Sequence, residues 1–175
     1  MNQNTAEPPY VLPRYRTVVA PEWIDPNNHL AVPYYHVIMN DAAWQASESW
    51  DYGVDYRTRT GQTTFVVEMH LRYLRELKLG DSVAATIRIL GLDEKRLLIG
   101  YEVFHDGEGY LAAMGEGLNI CVDSSTRRTT PFEPALHQRL TKILDKHCTL
   151  PPLPGPSLLR IGPAGFERAA LDNRP

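Results

Sequence analysis

The sequence predicts an α+β fold in which one long helix is wrapped by an antiparallel sheet. Three observations carry that prediction. From Pro33 onward Tyr35, Met39, Ala42 and Ala46 recur at helical spacing; four runs of alternating apolar residues then follow between Thr63 and Val122; an amphipathic stretch closes the pattern before residue 148. Half-buried strands need their apolar face covered, and a single long helix can supply the cover.

Taken in order, residues 1–13 hold Pro8, Pro9 and Pro13 and read as an extended arm, either disordered or docked on a partner subunit. A strand is expected over Tyr15 to Trp23, cut by Pro21 and by the turn residues Asp25-Pro26-Asn27-Asn28. Pro33 suits a first helical position, Trp50 lies one turn past Ala46, and Gly53 falls just beyond the expected end. The alanines let this helix approach a sheet closely. From Thr63 to Leu77 the period becomes two, with Phe65, Val67, Met69, Leu71 and Tyr73 on one face and Glu68, His70 and Arg72 on the other. Leu79-Gly80-Asp81 leads into Val83, Ala85, Ile87 and Ile89; Asp93-Glu94-Lys95 leads into Leu97, Ile99, Tyr101 and Val103; Asp106-Gly107-Glu108-Gly109 leads into a fourth run ending at Val122. Short turns between long strands predict a meander. Thr130-Pro131-Phe132-Glu133 has capping-box spacing, and Leu136, Leu140, Ile143 and Leu144 form a stripe behind it, which predicts a helix over about 131–147. The remainder, 149–175, is rich in Pro and Gly and reads as a tail that wraps or extends away. The organisation is therefore an arm at 1–13, one domain over 14–148, and a tail. Strand, turn, long helix and consecutive antiparallel strands are the element order of a hotdog fold.

Composition narrows the function classes. A formal charge of −3 with scattered arginines lacks the basic footprint of a nucleic-acid binder. The first residues are polar rather than basic and then apolar, and no apolar run approaches the ~20 residues that span a bilayer. Cys121 and Cys148 match no zinc or disulfide pattern, which predicts a reducing compartment, the cytoplasm. Asp25, His29 and His36 match no metal-ligand spacing, so no metal is expected.

The segment Pro21 to Tyr35, PEWIDPNNHLAVPYY, places an acid in a turn, a histidine four positions later, and then a proline with aromatics opening a helix. It resembles the motif of the 4-hydroxybenzoyl-CoA thioesterase-like hotdog family, and the likeness extends from about Tyr15 to Val122. The stretches TFVVEMHLRYLRELKLGD and EKRLLIGYEVFHD are similar to the betainyl-CoA thioesterases of carnitine breakdown, which also occur fused to carnitine dehydrogenases. That subgroup usually reads Asp-x-Asn-Gly-His-Met-Asn, whereas this chain has Asn28 for the glycine and Leu30 and Ala31 for the last two residues. Asn accepts the left-handed conformation better than most residues, so the turn tolerates the first change. Ala31 in place of that Asn leaves a substrate contact implied by the resemblance, and with it the acyl group, open.

The resemblance implies hydrolysis of a small acyl-CoA, betainyl-CoA being the candidate, with no cofactor beyond the coenzyme A of the substrate. Hydrolysis requires an oxygen nucleophile at the carbonyl carbon and a site for the negative charge that develops on oxygen. Asp25 matches the family's catalytic carboxylate, as general base or as nucleophile, and the backbone N–H near Val32, at the helix start, is the expected oxyanion donor. By itself Asp-Pro-Asn-Asn is also ordinary turn chemistry. His29 can position water or bond the thioester, or simply fix the loop. Asn28 can orient substrate or serve the turn. Glu68 can act as a second acid or as a countercharge, or pair with Arg72. Trp23, Tyr34, Tyr35 and Trp44, with Trp50 and Tyr52, can present aromatic faces to a quaternary ammonium, or be core. Arg72, Arg75 and Arg128, with Lys78 and Arg127, are candidates for the CoA phosphates, or solvated charge. Alternatives within the same fold are an enoyl-CoA hydratase or dehydratase and a non-catalytic acyl-CoA binder. An open sheet edge predicts a homodimer with sites at the subunit interface; further pairing to a tetramer is left open.

Overall fold

A computed structural model describes residues 12–162 and 165–168 of the chain. The arm expected over 1–13 falls almost wholly outside these residues. The elements are β1 (Arg14–Val18), a 3₁₀ turn (Pro21–Trp23), α1 (Val32–Ser49), α2 (Val54–Thr60), β2 (Gln62–Tyr73), β3 (Ser82–Leu92), β4 (Arg96–His105), β5 (Leu111–Asp123), α3 (Pro134–His147), β6 (Leu159–Gly162) and β7 (Gly165–Arg168).

The long helix α1 buries Tyr35, Ile38, Met39 and Ala42 along one stripe. It begins at Val32 with Pro33 in its first turn and lacks a side-chain cap at Ala31, so tertiary packing rather than capping fixes its start. The strand expected over Tyr15 to Trp23 is shorter, because β1 ends at Val18 and Pro21 opens the 3₁₀ turn. The short helix α2 was not anticipated. Its sequence is poor in helix formers and only Tyr56 is buried; Gly61, at φ 68°, closes it by donating its N–H to the Arg57 carbonyl.

Five strands form one antiparallel sheet in the order β1-β3-β4-β5-β2. This corrects the expected meander: β3, β4 and β5 are consecutive neighbours, but β2 pairs with β5 and lies at the edge. The chain leaves the sheet after Tyr73 because Leu77, expected in the strand, is fully buried in the loop instead, where its carbonyl accepts the Leu30 N–H at 2.7 Å. A bulge between Val66 and Glu68 also breaks the alternation. Val66 and Val67 are consequently 56% and 52% exposed, although Val67 was expected inside. Beyond the bulge Met69 and Leu71 pack on the core, and Tyr73 meets Tyr35 edge-on at 5.1 Å.

Both faces of the central strands are covered. On the inner face Ile87, Ile89, Leu97, Ile99 and Tyr101 share one core with Ile38, Met39, Leu136 and Leu140. On the outer face Leu98, Leu118 and Leu159 form a smaller cluster, and Glu116 accepts the Leu158 and Leu159 N–H groups at 2.9 and 3.1 Å. Arg88 and Glu102 pair there at 2.6 Å, and Arg88 also donates to the Pro151 carbonyl at 2.6 Å. The described part of the tail therefore lies against the sheet's outer face. A second bulge frees the Ile89 N–H, which donates to His147 Nδ1 at 2.8 Å and ties α3 to β3. That helix starts at Pro134 and not at Pro131. The Phe132 N–H is taken by the Glu94 carbonyl and the ring is buried, so the capping box does not form and Glu133 is extended, as a residue before proline prefers. Among the described residues no helix is long and apolar enough to cross a membrane.

Candidate active site

Asp25 sits in a tight hairpin whose legs meet at an Ile24–Leu30 bridge. Its N–H donates to the His29 carbonyl and its carbonyl accepts the Asn28 N–H, both at 3.0 Å. Asn28 occupies the left-handed region at φ 63°, which asparagine tolerates better than most residues. The Asp25 carboxylate accepts the Asn27 N–H at 2.8 Å and the Asn27 amide at 3.3 Å, and lies 3.6 Å from His29 Nδ1. Desolvation alone would raise its pKa; the Asn27 hydrogen bonds and the nearby His29 outweigh it and hold the group below the ordinary carboxylate range. Asp25 is therefore ionised at neutral pH. His29 Nδ1 faces two acceptors, the Asp25 carboxylate at 3.6 Å and the Leu30 carbonyl at 3.4 Å.

The hairpin is fastened to the start of α1. Ala31 donates to the Trp23 carbonyl at 2.9 Å, and the Trp23 ring stacks on Tyr34 with centroids 5.4 Å apart. Tyr34 N–H bonds the Ala31 carbonyl at 3.0 Å, and Pro33 has no N–H. A helix's first residue has no intrahelical acceptor, so Val32 is the donor this helix start offers to a ligand. Its side chain is exposed.

A cavity of about 640 Å³ opens between α1 and β2. One helical stripe, His36, Asn40, Trp44 and Ser47, forms a wall, and Thr64 and Phe65 form part of the facing one. Asp25 is not in its lining, which takes Thr63, Thr64, Phe65, Val66 and Met69 from β2 and begins on α1 at His36, whereas Tyr35, in the helix's first turn, meets Tyr73.

The other expected site residues are dispersed. Glu68 is on the outer face of the sheet, 2.9 Å from His70, whose cross-strand neighbour Glu116 holds the tail. Within one chain it does not share a pocket with Asp25. Arg72 donates to the Pro154 and Pro156 carbonyls at 3.3 and 3.2 Å and so secures the tail. Arg75 lies over the Tyr110 ring at 3.7 Å, near Glu108. Arg128 is exposed in the turn after β5. Arg75 and Arg128 flank opposite ends of that strand, on the order of 40 Å apart at strand rise, and cannot grip one phosphate group within a single chain. Tyr35 is only 4% exposed, and burial lifts its hydroxyl pKa to about 12, so it belongs to the core. Trp44 lines the cavity, but the Arg57 guanidinium lies 3.7 Å from its ring centre. Among the described residues no cluster of three or more His, Cys, Asp or Glu is arranged to hold a metal.

The sequence matches the model of the Thioesterase-like superfamily over residues 19–140. The chain belongs to this superfamily. Among curated proteins it is similar to a betainyl-CoA thioesterase of Pseudomonas aeruginosa, 32% identical over 141 residues, which are 81% of this chain and 89% of that protein. It is also similar to an L-carnitine dehydrogenase/betainyl-CoA thioesterase of Agrobacterium fabrum, 32% identical over 67% of this chain but only 24% of that longer protein. Among solved structures, a hypothetical protein of Staphylococcus aureus in complex with CoA superposes with a TM-score of 0.77 at 26% identity, covering 87% of this chain and 94% of the other. For this member of the thioesterase-like superfamily the hotdog architecture expected from element order is the observed one.

Several cavity residues escaped the sequence reading, among them Asn40, Ser47 and Arg57. Asn40 and Ser47 lie on the same stripe as His36 and Trp44, and polar residues at helical spacing on a mostly apolar helix were the available signal. Arg57 gave none, because α2 was not recognised.

Proposed function

We propose that this member of the thioesterase-like superfamily hydrolyses an acyl-CoA to a free acid and CoA. The observation that carries the reading is the Asp25 hairpin: an ionised carboxylate fastened to a helix start that has one donor, Val32 N–H, to offer. As a general base Asp25 takes a proton from water, the water oxygen bonds the carbonyl carbon, and the C–S bond breaks to release the thiolate. As a nucleophile Asp25 forms an anhydride that water then opens. In this mechanism His29 positions the water, Asn28 serves the turn, and the Val32 N–H stabilises the oxyanion. No cofactor beyond the CoA of the substrate is needed.

The exposed β2 edge, with Val66 and Val67 at its centre, supports a homodimer formed by antiparallel pairing of the two β2 strands. Such pairing swaps ends, so the partner's helix start and Asp25 approach this chain's cavity, and the partner's Arg128 approaches the side of Arg75. Two unpaired cysteines, Cys121 and Cys148, support a reducing compartment such as the cytoplasm. The relatives' names make betainyl-CoA the first substrate to test.

A panel of acyl-CoAs that includes betainyl-CoA and an enoyl-CoA tests the reading through free thiol. Thiol release at enzyme-dependent rates is expected. Loss of enoyl absorbance without thiol would instead make the protein a hydratase, and intact ligand throughout would make it a binder.

A further inference from the structure

The cavity beside α1 contains a charge that bears on its substrate. Its lining has no carboxylate, and its one permanent charge is Arg57. That guanidinium lies 3.7 Å from the centre of the Trp44 ring, so the indole face available to a quaternary ammonium is already covered by a cation. Phe65, also in the lining, carries the Arg127 guanidinium at 4.6 Å. Among the described residues no carboxylate lies within ion-pair distance of Arg57, and Glu48, which acts on it only at longer range, is engaged with the Val54 N–H at 2.9 Å. Burial, the main influence on Arg57, draws its pKa below the ordinary value, as expected of a partly desolvated cation, yet an arginine stays charged at neutral pH. The remaining walls include Trp50, Met69, Ile87 and Leu97, and the volume of about 640 Å³ suits a ligand much bulkier than a betainyl group.

We infer that the cavity receives a bulky, largely apolar acyl group with a hydrogen-bond-accepting or anionic far end directed at Arg57, and that Arg57 excludes a cationic acyl group. The inference rests on the thioesterase reading and deepens it. It separates this chain from relatives named for betainyl-CoA: a second cation beside Arg57 meets like-charge repulsion that no acid in this chain's own lining offsets.

The test compares betainyl-CoA with 3,3-dimethylbutyryl-CoA, its uncharged carbon isostere, and phenylacetyl-CoA with its para-carboxylate counterpart. Free thiol gives kcat/KM, and calorimetry with the non-hydrolysable thioether analogues gives Kd. In the wild-type protein the uncharged isostere is favoured over betainyl by ~10-fold or more, and the para-carboxylate is favoured over phenylacetyl. Arg57→Leu brings both ratios close to unity, and Arg57→Glu inverts the first, with thermal melting used to confirm that each variant is folded. Equal or better use of betainyl-CoA by the wild type, or ratios unchanged in Arg57→Leu, overturns the inference. If no thioester is cleaved, the thioesterase reading falls; charge-dependent Kd ratios would then still uphold the assignment of Arg57, and charge-independent ratios would end it.

Discussion

At the scale of single residues, the turn role that the sequence offered for Asp25 is the observed one, and it is compatible with the catalytic role proposed above. The carboxylate accepts bonds from Asn27, as a turn aspartate does, and the same bonds keep it ionised. A pH dependence follows. Because the folded pKa lies below the ordinary value of ~3.9, the ionised form that the proposed mechanism requires persists as pH falls past that value and is lost only on passing the lowered one. A kcat/KM profile measured over the acid range in which the protein stays folded should therefore show no loss assignable to Asp25 above pH ~4. The hairpin was legible because its residues are local: Asp25, Asn28 and His29 act within five positions of each other. Glu68, Arg72, Arg75 and Arg128 were not, because which face or end of a sheet a residue reaches depends on strand order and bulges that alternation alone does not encode.

At the scale of elements, alternation revealed the strands and helical spacing revealed α1, while the departures all have local causes. A bulge exposed Val67, a buried Phe132 moved the start of α3 to Pro134, and poor helix formers hid α2. The bond that joins α3 to β3 predicts an acid sensitivity. Burial, reinforced by the charge of Arg88, pushes the His147 pKa down from 6.5 to about 4. The unfolded chain then binds the proton more readily than the native one, so stability is full above pH ~6.5, declines as pH falls towards 4, and is lost by on the order of 3 kcal/mol below it. His147→Asn keeps an acceptor near Nδ1 and removes the titration. Denaturant midpoints measured from pH 7 to 4 should fall less steeply in this variant than in wild type; parallel slopes would assign the acid sensitivity elsewhere.

At the scale of the whole molecule, two surfaces have different fates. The outer face of the sheet is covered by the tail, with Leu159 in its cluster and Arg72 and Glu116 as anchors. The β2 edge is open and apolar at its centre. The edge position of β2 was not legible beforehand, since the meander reading put β2 beside β3; a wrapping tail was one of two readings, and its lack of periodicity hid the face that it covers. If β2 forms the dimer seam, Val67→Lys should convert a dimer to a monomer in sedimentation and reduce thiol release together with it, while an unchanged dimer would place the seam elsewhere.

The claim beneath all of this is the proposal that the Asp25 carboxylate drives the attack on the thioester, by activating water or by attacking directly. Asp25→Asn, which preserves the shape and most of the hairpin's hydrogen bonds, is compared with wild type in a single-turnover free-thiol assay, with binding of a thioether analogue followed in parallel. The account predicts a rate lower by ~10²-fold or more with binding nearly unchanged. A variant that binds and turns over like wild type would contradict it.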